Sequence, residues 1–275
     1  MAPSQKTVPD GSNQLTPMPL PLVVEAASFS HAGKVRESNE DVCGVFNDLR
    51  LFMVADGMGG RAAGEVAAAV AVNALETFFR DNYPTPKTDW PFPIDPRFSI
   101  PVNLLRVGMK VANQKIREEA VKDPAWHRMG ATMSALTFDQ EQLVAANVGD
   151  VRIYRHRHGQ LARLTRDHSL LEEMKTARPD ISPAELETIA PRNVVTRALG
   201  TKPEVEATVL VNSFQNDDQY LICSDGLWGV VSDANIAAIL ATAGDLDSIC
   251  YALVDAALLA GGPDNVSALV VRVHR

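Results

Sequence analysis

Residues 51–60 have the sequence Leu51-Phe52-Met53-Val54-Ala55-Asp56-Gly57-Met58-Gly59-Gly60. The first five residues form an uncharged apolar run, which is typical of a buried strand, and Asp56 follows directly after the run. The glycines after Asp56 favour a turn, and they let backbone carbonyls come close to a bound ion. The stretch therefore predicts a strand, Leu51–Ala55, that delivers one carboxylate to the edge of the core.

Three other aspartates stand beside apolar runs in a similar way. Asp225 follows a run that ends at Ser224, Asp150 follows one that ends at Gly149, and Asp264 precedes the last apolar strand. Carboxylates at strand ends are poorly solvated and repel one another. A hard cation such as Mg²⁺ or Mn²⁺ resolves that conflict, because it favours carboxylate, carbonyl and water oxygens. A single Asp-Gly step usually only makes a turn, but two such steps after apolar runs favour a metal site.

The segment Arg36-Glu37-Ser38-Asn39-Glu40-Asp41 brings one cation close to several acids. The fork of an arginine guanidinium suits a pair of phosphate oxygens. The alternative is a solvated turn that holds a local ion pair. Taken alone, the segment favours the turn.

The predicted strands are short and bounded by turns, and the helices lie before and after them. We predict strands at Leu51–Ala55, Ala131–Phe138, Gln142–Val148, Val151–Arg155, Gln160–Leu164, Val205–Val211, Gln219–Cys223 and Ala268–Val273. We predict helices at Ala63–Phe79, Val102–Val121, Ser182–Ile189, Asp233–Ala241 and Leu246–Leu259. Hairpin turns between strands favour antiparallel pairing. Strands grouped in this way predict an α+β sandwich rather than a doubly wound parallel sheet.

Three segments do not fit this regular pattern. Residues 1–22 are rich in Pro, Ser, Asn and Gln, and we expect a flexible tail before one domain at 23–275. Residues 81–101 contain six prolines, which predicts a surface loop. Residues 165–203 are polar with helical fragments, and we expect a lid-like insertion.

Composition excludes several classes of partner. The 275 residues carry a net charge of -8, and an acidic surface repels nucleic acid and anionic membranes. No apolar run approaches the roughly 18 residues of a membrane span. Because no signal peptide begins the sequence, we expect a cytoplasmic protein, and we expect it to be a monomer. The three cysteines are widely spaced and favour neither a disulfide framework nor a zinc cluster.

Seven motifs in order carry a family resemblance that covers about residues 26–275. They are Arg36…Asn39-Glu40-Asp41, Asp56-Gly57-Met58-Gly59-Gly60, Gly130-Ala131-Thr132, Asn147-Val148-Gly149-Asp150, Asp167-His168-Ser169, Ser224-Asp225-Gly226-Leu227-Trp228 and Asp264-Asn265. Each motif is weak alone, but the ordered set resembles the metal-dependent protein phosphatases of type 2C, in their compact bacterial form. The resemblance implies a four-layer α-β-β-α sandwich with two central, mainly antiparallel sheets and a small flap at 165–203.

The resemblance also implies a binuclear Mn²⁺ or Mg²⁺ site at one end of the sandwich. Asp56 would bridge the two ions, and the Gly57 carbonyl would bind one of them. Asp225 and Asp264 would hold the other ion. Asp150, with Asp225, would help to bind a third and weaker ion.

The remaining implied site residues act on substrate or through water. Arg36 would hold the substrate phosphate, while Glu40 and Asp41 would act mainly through water bound to the ions. The implied activity is hydrolysis of phosphoserine and phosphothreonine on proteins, in opposition to Ser/Thr kinases. Two alternatives stay open: an inactive relative that binds phosphoproteins, and a hydrolase of small phosphate esters.

Overall fold

The computed structural model describes residues 22–60, 63–139, 142–182, 185, 189 and 194–274. The strands are β1 (Val23–His31), β2 (Asp41–Phe46), β3 (Leu51–Met58), β4 (Gly130–Phe138), β5 (Gln142–Val148), β6 (Arg152–Arg157), β7 (Gln160–Arg163), β8 (Thr208–Ser213), β9 (Gln219–Cys223) and β10 (Val266–His274). The α-helices are α1 (Ala63–Asn82), α2 (Ile100–Ala120), α3 (Leu170–Ala177), α4 (Asp225–Trp228), α5 (Asp233–Leu240) and α6 (Leu246–Leu259).

The strands form two five-stranded sheets. One has the order β1-β10-β9-β6-β7, and the other has the order β2-β3-β4-β5-β8. Neighbouring strands in both sheets pair antiparallel. The α+β class and the antiparallel pairing predicted from the sequence are therefore confirmed.

An aromatic cluster fills the space between the two sheets. Phe138 of β4 lies at its centre, with ring centroids 6.2 Å from Phe52, 5.7 Å from Phe214 and 5.7 Å from Tyr220. The rings meet edge to face, which their quadrupoles favour. This cluster belongs to a buried core to which both sheets contribute.

Helices cover the outer face of each sheet and complete four layers. The first two helices pack on the β2–β8 sheet, where small residues such as Ala67, Ala68 and Ala71 are fully buried. Helices α5 and α6 pack on the β1–β7 sheet through Ile236, Leu240 and other apolar residues. The predicted α-β-β-α sandwich is confirmed.

Several boundaries differ from the sequence prediction. Strands Val23–His31 and Asp41–Phe46 were not predicted, because the first mixes small polar residues with apolar ones and the second begins with an acid and contains Gly44. Strand β3 continues three residues beyond Ala55, and the strand predicted at Val205–Val211 lies at Thr208–Ser213 instead.

Two of the three irregular segments are described at least in part. Between α1 and α2 the chain has no regular element. In the flap, the short helix α3 is followed by isolated bridges from Ser169 to Val195 and from Ala131 to Leu199. Residues 1–21 and most of the helix predicted at Ser182–Ile189 fall outside the described residues. Among the described helices, none combines the length and apolar character needed to cross a bilayer.

Truncation of the inter-sheet cluster gives a test of the fold. Phe138 is 1% exposed, so we expect Phe138→Ala to lower the free energy of unfolding by about 3–5 kcal/mol. Val211, on the edge strand β8, is 44% exposed, and Val211→Ala should cost less than about 1 kcal/mol. Urea denaturation of both variants measures the difference. Equal small losses would contradict a shared core between the sheets.

Candidate active site

Two acids meet across strands β2 and β3. Asp41 and Asp56 are direct partners in the antiparallel register, so their side chains lie on the same face with Cβ atoms about 4.5–5.5 Å apart. The sequence predicted that Asp56 would come just after the strand, but the strand continues to Met58 and Asp56 lies within it. Asp41 is 6% exposed, whereas Asp56 is only partly buried.

Two more acids come from the opposite sheet. Asp225 begins helix α4 directly after β9, and Asp264 lies just before β10. Because β9 and β10 pair antiparallel, the end of one strand and the start of the other lie at the same edge. Both side chains are partly exposed there.

Hydrogen bonds through Ser224 tie the two sheets together at this edge. The Ser224 hydroxyl donates to Asp41 Oδ2 at 2.7 Å, and it accepts from the backbone N–H of Ser267 at 3.0 Å. Ser224 and Ser267 are fully buried. The Asp41 carboxylate is therefore held in place by the sheet that carries Asp225 and Asp264.

Asp150 approaches the same edge from the turn between β5 and β6. Its backbone carbonyl accepts a hydrogen bond from Trp228 Nε1 at 3.1 Å, which links this turn to helix α4. The Trp228 ring lies 3.5 Å from the Arg152 guanidinium. Gly149 has a φ of 106°, a conformation that favours glycine, and it lets the chain turn at Asp150.

The pKa values of these carboxyls are raised by burial and by their mutual repulsion. Burial raises the pKa of Asp56 well above its usual value, and the charges of Asp41, Asp225, Asp150 and Asp264 raise it further. Burial likewise raises the pKa of Asp41 and of Asp225 to about 7 and that of Asp150 to about 6. The aspartates predicted from separate motifs are thus brought together in one electrostatic cluster.

Glu40 and Gly57 are joined through the backbone. The Gly57 N–H donates to the Glu40 carbonyl at 3.1 Å. A Cβ on Gly57 would overlap the Gly64 carbonyl, and a Cβ on Gly64 would overlap the Glu40 carboxylate. Helix α1 can therefore begin against the acidic edge only because both positions are glycine. Burial raises the pKa of Glu40, while the charge of Arg36 opposes the rise.

Arg36 lies at the mouth of the cluster. Its Nη2 donates to Asp264 Oδ2 at 2.8 Å, and its side chain is 56% exposed. Among the described residues this is its one hydrogen-bonded partner, so further N–H donors of the guanidinium face away from Asp264. The predicted contact with a substrate phosphate stays a prediction.

Asn265 organises the loop before β2, a role that the sequence reasoning missed. Its Oδ1 accepts from the Glu40 N–H at 2.8 Å, and its Nδ2 donates to the carbonyls of Ala32 and Ser38 at 3.0 and 2.8 Å. In the sequence Asn265 is marked only by its position directly after Asp264, and that position does not indicate which backbone groups it bonds.

The donor set fits a hard divalent cation. Asp41 Oδ1 is buried without a hydrogen-bond partner, and the surrounding donors are carboxylate and carbonyl oxygens, the ligands that Mg²⁺ and Mn²⁺ prefer. Within the described part of the chain, no group of three or more His, Cys, Asp or Glu side chains forms a ready-made cage. Ions such as Mg²⁺ bind through one or two carboxylates and keep several waters. The cluster therefore fits open, hydrated ions.

Comparison with known proteins agrees with the fold. The family model for protein phosphatase 2C matches residues 30–242. The serine/threonine protein phosphatase PstP of Mycobacterium tuberculosis is 34% identical over 252 residues, which are 92% of this chain and 45% of that protein. The serine/threonine phosphatase stp of Listeria monocytogenes is 32% identical over 246 residues, covering 87% of this chain and 92% of that protein.

Solved structures give the same result. The catalytic domain of PstP, in complex with two manganese ions, superposes with a TM-score of 0.77 at 32% identity, covering 93% of this chain and 100% of that one. PppA of Pseudomonas aeruginosa superposes with a TM-score of 0.73 at 34% identity, covering 91% and 97%. The two-sheet sandwich with acids at one edge is thus a phosphatase fold. The chain belongs to the protein phosphatase 2C family.

The raised pKa values predict how stability depends on pH in metal-stripped protein. A carboxyl whose folded pKa exceeds its unfolded value destabilises the fold as pH rises through the interval between them, here from about 4 to about 7. Asp56→Asn removes one of the repelling charges. We expect this variant to be more stable than wild type at pH 8 in EDTA, and the advantage to shrink at pH 5.

The measurement is urea denaturation of both proteins at the two pH values. The difference between variant and wild type cancels the contribution of groups outside the cluster, including His168, whose pKa burial lowers to about 4. With Mn²⁺ present, wild type should become the more stable of the two. An advantage that is the same at pH 5 and pH 8 would refute electrostatic crowding.

Proposed function

We propose that this chain is a serine/threonine phosphoprotein phosphatase with a binuclear Mn²⁺ or Mg²⁺ site. The observation that carries the proposal is the convergence of Asp41, Asp56, Asp150, Asp225 and Asp264 beside an exposed arginine. The chain spans 45% of the length of the mycobacterial relatives that it matches, and the proposal concerns the domain described here.

Three partly exposed acids are placed to hold the ions. Asp56 and the Gly57 carbonyl would hold the ions from one sheet, with the Asp56 carboxylate shared between them, and Asp225 and Asp264 would contribute from the other sheet. Asp150 and Asp41 are 3% and 6% exposed; Asp150 suits a third, weaker ion. When bound, two such ions activate a water nucleophile and neutralise charge that develops on the phosphoryl group.

The chain's own residues orient the substrate and the water. Arg36 donates to Asp264 with one N–H. Its other N–H groups have no hydrogen-bond partner among the residues that the structure describes, and they can donate to phosphoryl oxygens as a fork. Asp41 pairs with Asp56 across the two strands, and Glu40 is bonded to Gly57 through the backbone; their carboxylate oxygens can accept hydrogen bonds from water bound to the ions. Ser224 and Asn265 act as positioning residues, because they fix Asp41 and the Glu40 backbone.

Opposition to Ser/Thr kinases follows from the proposed reaction. A phosphoserine or phosphothreonine on a protein is the product of a kinase, and its hydrolysis returns the free hydroxyl. The relatives are described as serine/threonine phosphatases, which supports phosphoproteins as substrates. The presence of every predicted acidic ligand disfavours an inactive phosphoprotein-binding relative.

Metal dependence is tested with a ligand variant and a matched control. We expect hydrolysis of a phosphoserine peptide to require Mn²⁺ or Mg²⁺ and to fall at least about 100-fold in Asp225→Asn, because loss of a partner in the outer shell alone can cost that much. Asp255 is exposed on α6, and Asp255→Asn should keep wild-type turnover. Full turnover in EDTA would overturn the binuclear proposal. Faster turnover of nucleotides than of phosphopeptides would favour a small-ester hydrolase.

Arg36 is tested through the separation of KM from kcat. We expect Arg36→Gln to raise KM for the phosphopeptide about tenfold, because an exposed charge-assisted contact to phosphate is lost. Mn²⁺ affinity measured by calorimetry should change little. Arg97→Gln is the control, since Arg97 is 82% exposed and pairs with Asp95 in the proline-rich loop. A KM equal to wild type would remove Arg36 from the substrate site.

A further inference from the structure

A cavity lined mostly by residues of the 165–203 segment lies near the acidic edge but does not include its acids. Its volume is about 510 Å³, and Arg166, His168, Arg197 and Thr208 are among the residues that line it. We call it the flap cavity. His168 connects it to the acidic cluster, because its backbone N–H donates to the Gly149 carbonyl at 2.8 Å.

The hydrogen bonds of His168 fix which groups in the cavity are donors. The Gly149 N–H donates to His168 Nδ1 at 3.0 Å. The ring is neutral at pH 7, because burial lowers its pKa to about 4, so its proton is on Nε2. Nε2 then donates to Thr208 Oγ1 at 2.8 Å. The Thr208 hydroxyl, having accepted this bond, keeps its own proton to donate.

The two arginines add donors whose charge is poorly neutralised. Arg197 Nη1 donates to the Glu206 carbonyl at 2.7 Å and lies 3.3 Å from His168 Nε2, which is itself a donor. Within the described residues, Arg197 has no carboxylate within ion-pair distance. Arg166 donates to the Glu172 carbonyl at 2.7 Å, and its Nε is 3.6 Å from the Glu172 carboxylate.

Nearby acids do not cancel this positive charge. The Glu172 carboxylate also lies 3.0 Å from Lys175 and 3.7 Å from Arg163, so one acid serves three cations. Asp167 lines the cavity, but its carboxylate accepts from Arg152 at 2.7 and 3.0 Å. Apart from Asp167, the acid in the cavity lining is Glu173, and it faces the charges of two arginines, Arg166 and Arg197. The cavity is a cluster of donors with excess positive charge on a chain of net charge -8.

We infer that the flap cavity binds a second oxyanion of the phosphoprotein substrate, carried by an acidic side chain close in sequence to the phosphorylated residue. The inference rests on the proposed function. Arg166 and Arg197 each donate to a backbone carbonyl, and an oxyanion supplies acceptors for their remaining N–H groups and for the Thr208 hydroxyl. Charge-assisted bonds of this type are the stronger kind. His168 in the cavity lining bonds to Gly149, the neighbour of Asp150, and an extended peptide spans about 3.3–3.6 Å per residue. We therefore place the second oxyanion within four residues of the phosphorylated one.

The experiment compares phosphoserine peptides that differ at one position. One series carries Glu at each position from four before to four after the phosphoserine, and a reference peptide has Gln throughout. We expect wild type to prefer Glu at one or two offsets on one side by about three- to tenfold in kcat/KM, through KM. The preference should disappear in 0.5 M salt, where screening is strong.

Variants assign that preference to the cavity. Arg166→Gln and Thr208→Val should each reduce the ratio of kcat/KM for the Glu peptide over the Gln peptide. Arg163→Gln is the matched control, because Arg163 carries the same charge near Glu172 and lies outside the cavity lining. The control should keep the wild-type ratio. An equal fall in Arg163→Gln would show general charge attraction and overturn the inference.

Further experiments identify the source of the oxyanion. They also distinguish failure of this inference from failure of the proposed function. A peptide with a second phosphoserine at the preferred offset should be preferred at least as strongly as the Glu peptide. Inorganic phosphate should not abolish the preference at concentrations that leave turnover measurable; if it does, the cavity is a site for the free ion. Equal turnover of all peptides would sink the inference and leave the proposed function standing. If no phosphopeptide is hydrolysed, the proposed function fails, and calorimetric binding of the Glu and Gln peptides still decides the subsite.

Discussion

Mutual repulsion among partly buried carboxylates is the constraint on which the rest of the structure depends. Asp41 and Asp56 face each other across two strands, and the opposite sheet adds Asp225 and Asp264. Left in low dielectric without a cation, such groups keep their protons, which is why their pKa values rise. The cluster persists because the aromatic core between the sheets and the helices outside them hold its strands in place.

The chain offsets this repulsion with positioning hydrogen bonds and with an ion pair on the solvent side. Ser224 donates to Asp41, Asn265 fixes the loop before β2, and Arg36 reaches Asp264 from the solvent side. Arg36 and the flap cavity are positive features beside an acidic centre. Proposed roles for both follow from the same electrostatics: a phosphoryl group needs a cation at the catalytic edge, and a second acidic side chain needs one beside it.

Much of the architecture could be predicted from the periodic spacing of apolar residues in helices and from apolar runs in strands. Helix Leu246–Leu259 begins and ends where its apolar periodicity does, and strand Gln219–Cys223 was also correct. The strands Val23–His31 and Asp41–Phe46 could not be found, because each is stabilised by its partner strand and not by its own composition. Asp56, Asp150, Asp225 and Asp264 could be singled out because each stands beside an apolar run, whereas Glu40 and Asp41 were implied only by the family resemblance. That these acids lie near one another depends on the pairing of strands far apart in sequence, which no local pattern shows. The hub at Asn265 was missed, since its bonds go to backbone groups that no side-chain pattern marks.

The central claim is that the carboxylate edge is built for two divalent cations bridged by Asp56. Anomalous diffraction at the manganese edge, from crystals grown with Mn²⁺, tests this claim without any assay. The account predicts two strong peaks that share the Asp56 carboxylate, one of them beside Asp225 and Asp264, and loss of both peaks in Asp56→Asn. An empty acidic edge in crystals that bind Mn²⁺ elsewhere, or two peaks that survive Asp56→Asn unchanged, would contradict it.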